Sequence, residues 1–312
     1  MRAATIINGT LEVREHPDPT PGPGEILVRI HAAGLNNADL AQRAGGYPAP
    51  PGSPADIPGL EMAGEVIAIG PNAFRYKVGD RVMSLLGGGG QAEMTVVHER
   101  VAMPVPENLS WAEAGGFAEI FITAHDALFT QCGLQTGERL LVTGAAGGVG
   151  VAAVQLGVTC GARVTASVRN ADRRNEVAEL GALAISPEEH LTHGPYDVIL
   201  EMFPSTGVPG DLNSLDIGGR VSIIAMAGGH LAELNIAKLM TKRLRIHGST
   251  LRTRPLELKA DASRLVEQQV LPHLASGRVR VPVFARYPLS DVNDAYARFE
   301  AGGKLGKIVL ET

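Results

Sequence analysis

The 312-residue chain holds two cysteines, Cys132 and Cys160. That is too few for a disulfide framework or a four-cysteine zinc site. It has no long basic run, and its formal net charge is −5. Nucleic acid and anionic membrane surfaces are therefore not expected partners. No apolar run approaches the roughly 20 residues needed to cross a bilayer. The opening residues, MRAATIINGTLEV, read as a strand and not as a charged segment followed by an apolar core. No secretory signal is expected, and a cytoplasmic location follows by default. Internal repeats and low-complexity tracts are also missing. A 45% hydrophobic content provides ample core, and the length suits about two domains.

What the chain has in abundance is glycine, and the most informative cluster lies in Glu138-Arg-Leu-Leu-Val-Thr-Gly-Ala-Ala-Gly-Gly-Val-Gly150. Residues 140–143 are a short apolar run fit for a buried parallel strand. The run breaks at Gly144 and re-emerges as an apolar helix over 149–156. Strand, glycine turn and helix in that order open a dinucleotide site. Small residues let the backbone approach a pyrophosphate, and free N–H groups with the positive helix dipole favour its charge. In the six-position pattern Ala145 stands at the first glycine position, with Gly147 at the third and Gly150 at the sixth. Gly144, Ala145, Gly147, Gly148, Val149 and Gly150 are the expected cofactor-binding residues of this turn. The bland alternative is a plain structural turn, which the second strand expected over 162–167 argues against.

An adenosine ribose with a free 2′-OH is usually held by an Asp or Glu at the end of that second strand, about 20 residues on. Val168 occupies the position here, followed by Arg169 and Asn170, and Arg173 and Arg174 open the next helix. A guanidinium forks onto phosphate through charge-assisted bonds worth roughly 1.5–3 kcal/mol each. Lack of the carboxylate also removes repulsion of a 2′-phosphate. Arg169, Asn170 and Arg173 thus favour NADPH over NADH; the competing reading makes them ordinary solvated helix charges.

The first part of the chain is strand-rich, with strands expected over 26–31, 65–69, 81–85 and 92–97. Gly and Pro clusters at 17–24, 48–58 and 87–90 punctuate it. The run 87–90 is either mobile or simply a turn. From about residue 119 strand and helix alternate, with strands expected over 140–143, 162–167, 183–185, 197–201, 220–224 and 244–248. Helices include 172–180 and 236–241. Six strands in such an order suit a doubly wound parallel sheet. The tail reads as a helix (256–274), a strand (282–287), a helix (291–299) and a last strand (308–311).

Several segments then carry a likeness. Gly34-Leu-Asn-Asn-Ala-Asp-Leu40, Gly46-Tyr47, Pro58-Gly-Leu-Glu61, Gly79-Asp-Arg-Val82, Gly-Gly-Gly-Gln91, Gly248-Ser-Thr-Leu-Arg252, Glu267-Gln-Gln-Val-Leu-Pro-His273 and Gly306-Lys-Ile-Val-Leu310 follow one another in order. The chain resembles the zinc-independent quinone oxidoreductases of the medium-chain dehydrogenase/reductase superfamily, most closely the p53-inducible branch, from end to end. The resemblance implies an α/β protein with a GroES-like β-rich catalytic domain and a Rossmann domain, a doubly wound parallel sheet that binds NADPH. The expected boundaries are 1–118 and 253–312 for the two-segment catalytic domain and 119–252 for the Rossmann domain. It also implies a homodimer, expected through the edge strand at 244–248.

Zinc-using members of that superfamily hold a metal with Cys, His and Cys, and by motif those positions resemble Asn36, Leu60 and approximately Glu119 here. Leucine has no lone pair to donate, and an amide is a poor zinc ligand beside thiolate or imidazole. The four-cysteine lobe is absent, and the nine histidines show no pair at ligand spacing on one helix face. No metal is expected. A quinone, or an alkene conjugated to a carbonyl, accepts hydride without a Lewis acid because the charge is delocalised. The protein then needs to supply orientation and a few hydrogen bonds.

Asn36 and Asp39, in the turn after the first long strand, are candidates to bond the ribose or a substrate oxygen, against local turn capping. Tyr47 matches a family tyrosine linked to substrate binding and is placed to donate a hydrogen bond or proton, against packing on prolines. Further cofactor contacts implied by the resemblance are Thr123, the backbone of Ala225, Met226 and Leu251 at strand ends, and Lys307 near the pyrophosphate. The chain departs from the family at Ser186-Pro187, where a phosphate-contacting tyrosine is usual, and at Phe203-Pro204, where two glycines are usual. Lys304 also stands where asparagine is common. NADPH-dependent quinone reduction is the leading expectation. NADPH-dependent reduction of an enone, enal or enoyl thioester, and a low-turnover NADPH-binding structural or regulatory protein, are the alternatives.

Overall fold

The opening segment is a hairpin and not the single strand its apolar pattern suggests. In the computed structural model, which describes residues 1–227 and 229–312, β1 (Arg2–Ile7) turns back through Asn8 and Gly9 into β2 (Thr10–Glu15). Both turn residues take positive φ, 50° and 81°. That geometry matches the right-handed twist of two adjacent strands and is what an Asn-Gly pair favours.

The described chain divides into two units. The first comprises Met1–Ile122, Leu251–Gly302 and Gly306–Thr312; the second comprises Thr123–Thr250 and Gly303–Leu305. In chain order the first unit continues with β3 (Glu25–Gly34), α1 (Asn37–Arg43), β4 (Glu61–Ile69), β5 (Arg81–Leu85), β6 (Met94–His98), β7 (Ala102–Pro104), α2 (Trp111–Gly115) and the start of α3 (Ala118–His125). The second unit follows with β8 (Arg139–Val142), α4 (Gly148–Thr159), β9 (Arg163–Ser167), α5 (Arg174–Ala178), β10 (Leu183–Ile185), β11 (Tyr196–Glu201), α6 (Pro204–Ser214), β12 (Leu215–Ile223), α7 (Ile236–Thr241) and β13 (Arg245–Gly248). The chain then returns to the first unit with α8 (Leu256–Gln269), α9 (Leu271–Ala275), β14 (Val283–Pro288), α10 (Val292–Glu300) and β15 (Lys307–Glu311).

The helix expected over 256–274 is broken. Val270 sits at φ −113° between α8 and α9, and Pro272 in the first turn of α9 has no N–H to continue the ladder. The helix expected over 172–180 shrinks to a 3₁₀ turn at Ala171–Arg173 followed by α5.

In the first unit β14, β15, β3, β4, β5 and β7 lie side by side, with β6 also paired to β3. β15 runs antiparallel to the end of β3, Val309 facing Gly34, so the last strand completes the sheet begun by the first part of the chain. One face is sealed by α10, whose Val292, Ala295, Tyr296 and Phe299 pack on Leu35, Ile308 and Leu310. In the second unit six strands run in the order β10-β9-β8-β11-β12-β13, every pair parallel. Leu141, Tyr196, Ile199, Leu212, Leu215, Val221 and Leu244 pack together on this sheet. The order turns at β8, so ligands are expected beyond the carboxyl ends of the strands near it. Among the described residues no helix is long and apolar enough to cross a membrane.

Candidate functional site

In the second unit the glycine turn follows β8 directly. Thr143 donates its N–H to Leu200 O at 3.0 Å, and Ala145 donates to Ser167 O at 3.1 Å, so β11 and β9 hold the turn from both sides. Gly144 takes φ +58°, which favours glycine. Gly147 caps α4, and its carbonyl accepts the first ladder bond from Val151 at 2.8 Å. The N–H groups of Gly148, Val149 and Gly150 precede that ladder, at the positive end of a 12-residue helix. A methyl on Gly150 would stand 2.4 Å from Gly144 O and 2.6 Å from Ala145 Cα, so only glycine lets helix and strand approach this closely. Ala145 is fully buried, and its methyl is absorbed into the unit at the position where glycine is common. These residues fit a pyrophosphate.

The end of β9 carries no acid. Val168 is 1% exposed and closes the strand with an N–H bond of 2.8 Å to Ile185 O. Arg169 and Asn170 follow on the surface, and Asn170 Oδ1 accepts from Asp172 N–H at 3.0 Å. Arg173 Nε donates to Gly303 O at 3.0 Å, and its guanidinium pairs with Glu176. Arg174, expected among the surface charges, instead donates to Val168 O at 3.1 Å and supports the turn. Thr123 is half-buried at the start of this unit, while Ala225 and Met226 follow β12 with Met226 67% exposed.

Sequence reasoning missed a pair of acids under the glycine turn. Glu201 ends β11 and is 1% exposed; its Oε1 accepts from Thr143 Oγ1 at 3.1 Å and from the Phe203 N–H. Asp211 of α6 is also 1% exposed, and burial together with the charge of Glu201 pushes its carboxyl well above the usual range. The available signal was a carboxylate, Glu201, that follows directly on the apolar run 198–200.

In the first unit α1 places Asn36 and Asp39 in a buried polar cluster. Asp39 is 0% exposed; its carboxylate accepts from the N–H of Asn36 at 2.8 Å and of Gly59 at 3.0 Å. It caps α1 and ties it to the turn before β4, which corrects the expectation that it reaches ribose or substrate. Lys307 corrects a second expectation. It lies 2% exposed, with Nζ 2.6 Å from Glu61 Oε1, 2.6 Å from Leu35 O and 2.7 Å from Asn36 Oδ1. An ammonium has three donors, and all three are met inside the unit, so none remains for a pyrophosphate.

Asn36 is half-buried, and its Nδ2 donates to Glu61 Oε1 at 3.0 Å. Glu61 Oε2 accepts from the Glu119 N–H at 2.9 Å, while Glu119 Oε2 is buried without a partner. Burial first, then the charge of Glu61, pushes the Glu119 carboxyl up to about 8; burial pushes Asp39 up to about 7. Leu251 is 4% exposed in this unit, and its carbonyl accepts from Arg254 N–H at 3.1 Å.

These residues do not fit a zinc ion. Leu60 is apolar and 1% exposed, and the Asn36 amide is engaged on both sides by Glu61 and Lys307. Among the described residues no three or more His, Cys, Asp or Glu side chains are gathered to hold a metal.

Tyr47 is half-buried in the proline-rich loop after α1, beneath a guanidinium the sequence reading left unassigned. Arg252 Cζ lies 4.8 Å from the centre of the Tyr47 ring, and its Nη1 donates to Tyr47 O at 2.8 Å. The run 87–90 is a packed crossing. Gly89 N–H bonds Ile57 O at 2.9 Å, and Gly90 N–H bonds Gly59 O at 3.0 Å.

The alcohol dehydrogenase GroES-like domain family matches residues 22–130, and the zinc-binding dehydrogenase family matches residues 148–268. A quinone oxidoreductase of Lama guanicoe is 30% identical over 308 residues, covering 94% of this chain and 90% of that protein. The quinone oxidoreductase of Homo sapiens is 29% identical over the same length and coverage. The solved quinone oxidoreductase of Thermus thermophilus superposes with a TM-score of 0.86 at 30% identity, covering 100% of each chain. With its glycine turn, its parallel sheet and, among the described residues, none gathered to hold zinc, the chain belongs to the zinc-independent quinone oxidoreductase family of the medium-chain dehydrogenase/reductase superfamily.

Proposed function

We propose that this protein is an NADPH-dependent quinone reductase. The observation that carries the reading is the end of β9, where Val168 replaces an acid and Arg169 stands exposed beside Asn170 and Arg173. A 2′-phosphate gains from that positive charge, whereas a free 2′-OH would lack its usual acceptor. The Thermus thermophilus relative, solved in complex with NADPH, supports the same choice.

When bound, the nucleotide supplies the hydride. The chain's own groups orient the reactants. In this reading Gly144, Ala145, Gly147, Gly148, Val149 and Gly150 hold the pyrophosphate. Thr123, Ala225, Met226 and Leu251 contact the nicotinamide end. The substrate's carbonyl oxygen meets Tyr47, and Asn36 orients the polar cluster beside it, its amide being held by Gly34, Glu61 and Lys307. Asp39 and Lys307 take a supporting part, since their polar atoms are committed within the first unit. Association into a homodimer through β13, an edge strand of its sheet, belongs to the same proposal.

Steady-state NADPH and NADH oxidation with benzoquinones, naphthoquinones, enones and enoyl thioesters tests it. Turnover of quinones with preference for NADPH is expected. Turnover of enones or thioesters alone transfers the activity to activated alkenes. NADPH binding with no turnover on the whole panel points to a binding protein instead.

A further inference from the structure

Arg252 is 2% exposed and lies among the largest fully buried side chains of the protein. Buried arginines are rare because the guanidinium loses its hydration, and they persist where every donor finds an acceptor in fixed geometry. Each of the three guanidinium nitrogens of Arg252 donates to a neutral oxygen, and the three oxygens come from three places. Nε donates to Gly87 O at 2.8 Å, Nη1 donates to Tyr47 O at 2.8 Å, and Nη2 donates to Gln42 Oε1. Its Cζ also lies over the Tyr47 ring, 4.8 Å from the centroid.

Gln42 extends the grip. It lies 5% exposed on α1, and its Nε2 donates to Ala55 O at 3.1 Å. The loop from Tyr47 to Ala55 is therefore held at one end by the guanidinium and at the other by an amide that the guanidinium itself orients. The glycine crossing closes the third side. A methyl on Gly87 would stand 2.1 Å from Ser53 Oγ, so that loop presses directly on the crossing that Arg252 bonds.

We infer that Arg252 is the positioning residue for Tyr47: by tying both ends of the 47–55 loop to the glycine crossing, it fixes the phenol that meets the substrate and so sets quinone affinity and selectivity. This rests on the reading that Tyr47 contacts the substrate. Lysine at 252 keeps the charge but has no planar fork to serve three acceptors.

A double-mutant cycle tests the inference, using full-length Arg252→Met, Tyr47→Ala, the pair together, and Arg252→Lys. Arg252→Met is expected to raise the KM for 1,4-naphthoquinone at least about tenfold while kcat changes less than about threefold. The NADPH Kd should stay within about twofold. Arg252→Lys should fall between wild type and Arg252→Met. Beside Tyr47→Ala, the Arg252→Met change should add less than about twofold, because residues acting as one unit are not additive. Should Arg252→Met fail to fold, Arg252→Lys carries the same cycle. An unaltered quinone KM, or a loss undiminished beside Tyr47→Ala, overturns the inference. A silent Tyr47→Ala overturns the assignment of Tyr47 to the substrate, and with it the reading beneath.

Discussion

Lys307 Nζ lies 2.6 Å from Glu61 Oε1, with 2% and 0% of the two side chains exposed. The pair joins β15, the last strand of the chain, to β4 from its first part. A buried ion pair gains little over a well-packed apolar one, but removing one partner strands the other's charge. Lys307→Met is therefore expected to lower the unfolding free energy by about 3–5 kcal/mol, and a Glu61→Gln/Lys307→Met double variant should recover part of that loss. Urea denaturation of the three proteins measures it. NADPH affinity of the folded Lys307→Met protein should be little changed; a large drop would restore the lysine to the cofactor.

The carboxyls near that pair give the fold a pH dependence of predictable sign. Glu119 is pushed up to about 8 and Asp39 up to about 7, both from ordinary values near 4. The native state therefore holds these protons more tightly than the unfolded chain. Their contribution is full below the unfolded values, declines as pH rises between about 4 and 8, and is lost above. Each group adds a slope of at most about −1.4 kcal/mol per pH unit within its own window. Glu119→Gln should flatten the curve most between pH 7 and 8, where native Glu119 holds more of its proton than Asp39 does. Denaturation midpoints at pH 6, 7, 8 and 9 would show it, and an unchanged slope would place the proton elsewhere.

Much of the fold was legible because local signals agreed with it. The strand at Arg81–Leu85, the strand at Leu183–Ile185 and the helix at Ile236–Thr241 lie where apolar runs and turn residues put them. The Asn8-Gly9 turn was equally visible but lost to the apolar run around it. The polar network was less legible. Nothing local to Lys307 says that Leu35, Asn36 and Glu61, more than 240 residues away in the chain, supply its three acceptors. Arg252 was hidden for the same reason, since its partners Gln42, Tyr47 and Gly87 come from a distant helix and two distant loops. Burial of a charged side chain is decided by tertiary partners, which periodicity does not report.

The cofactor preference rests on the end of β9. Replacing Arg169 and Arg173 together with Ala should weaken NADPH at least about tenfold more than NADH, or roughly 1.4 kcal/mol. Arg173 also holds Gly303 O and Glu176, so part of its loss is structural and falls on both nucleotides alike. Arg169→Ala alone isolates the exposed guanidinium. Fluorescence titration with both nucleotides decides the matter, since equal losses for the two would mean the arginines do not read the phosphate.

Gly150→Ala separates the architecture of the turn from its chemistry. The added methyl would lie 2.4 Å from Gly144 O and 2.6 Å from Ala145 Cα, and both obstacles are backbone. No rotamer change relieves them, so α4 and the turn must move apart, at a cost of about 1–3 kcal/mol. Gly147→Ala differs. Its methyl would stand 3.3 Å from Gly144 O, and its φ of −73° suits alanine, so a shift of a few tenths of an ångström accommodates it. Without nucleotide, thermal denaturation should thus show a clear loss for Gly150→Ala and a small one for Gly147→Ala. With NADPH titrated in, both should bind more weakly, the first because the cradle has opened and the second because a methyl stands near the N–H groups that receive the phosphate. If Gly147→Ala binds like the wild type while Gly150→Ala fails, close packing of helix on strand is what the turn contributes. If both bind normally, the pyrophosphate lies somewhere other than the start of α4.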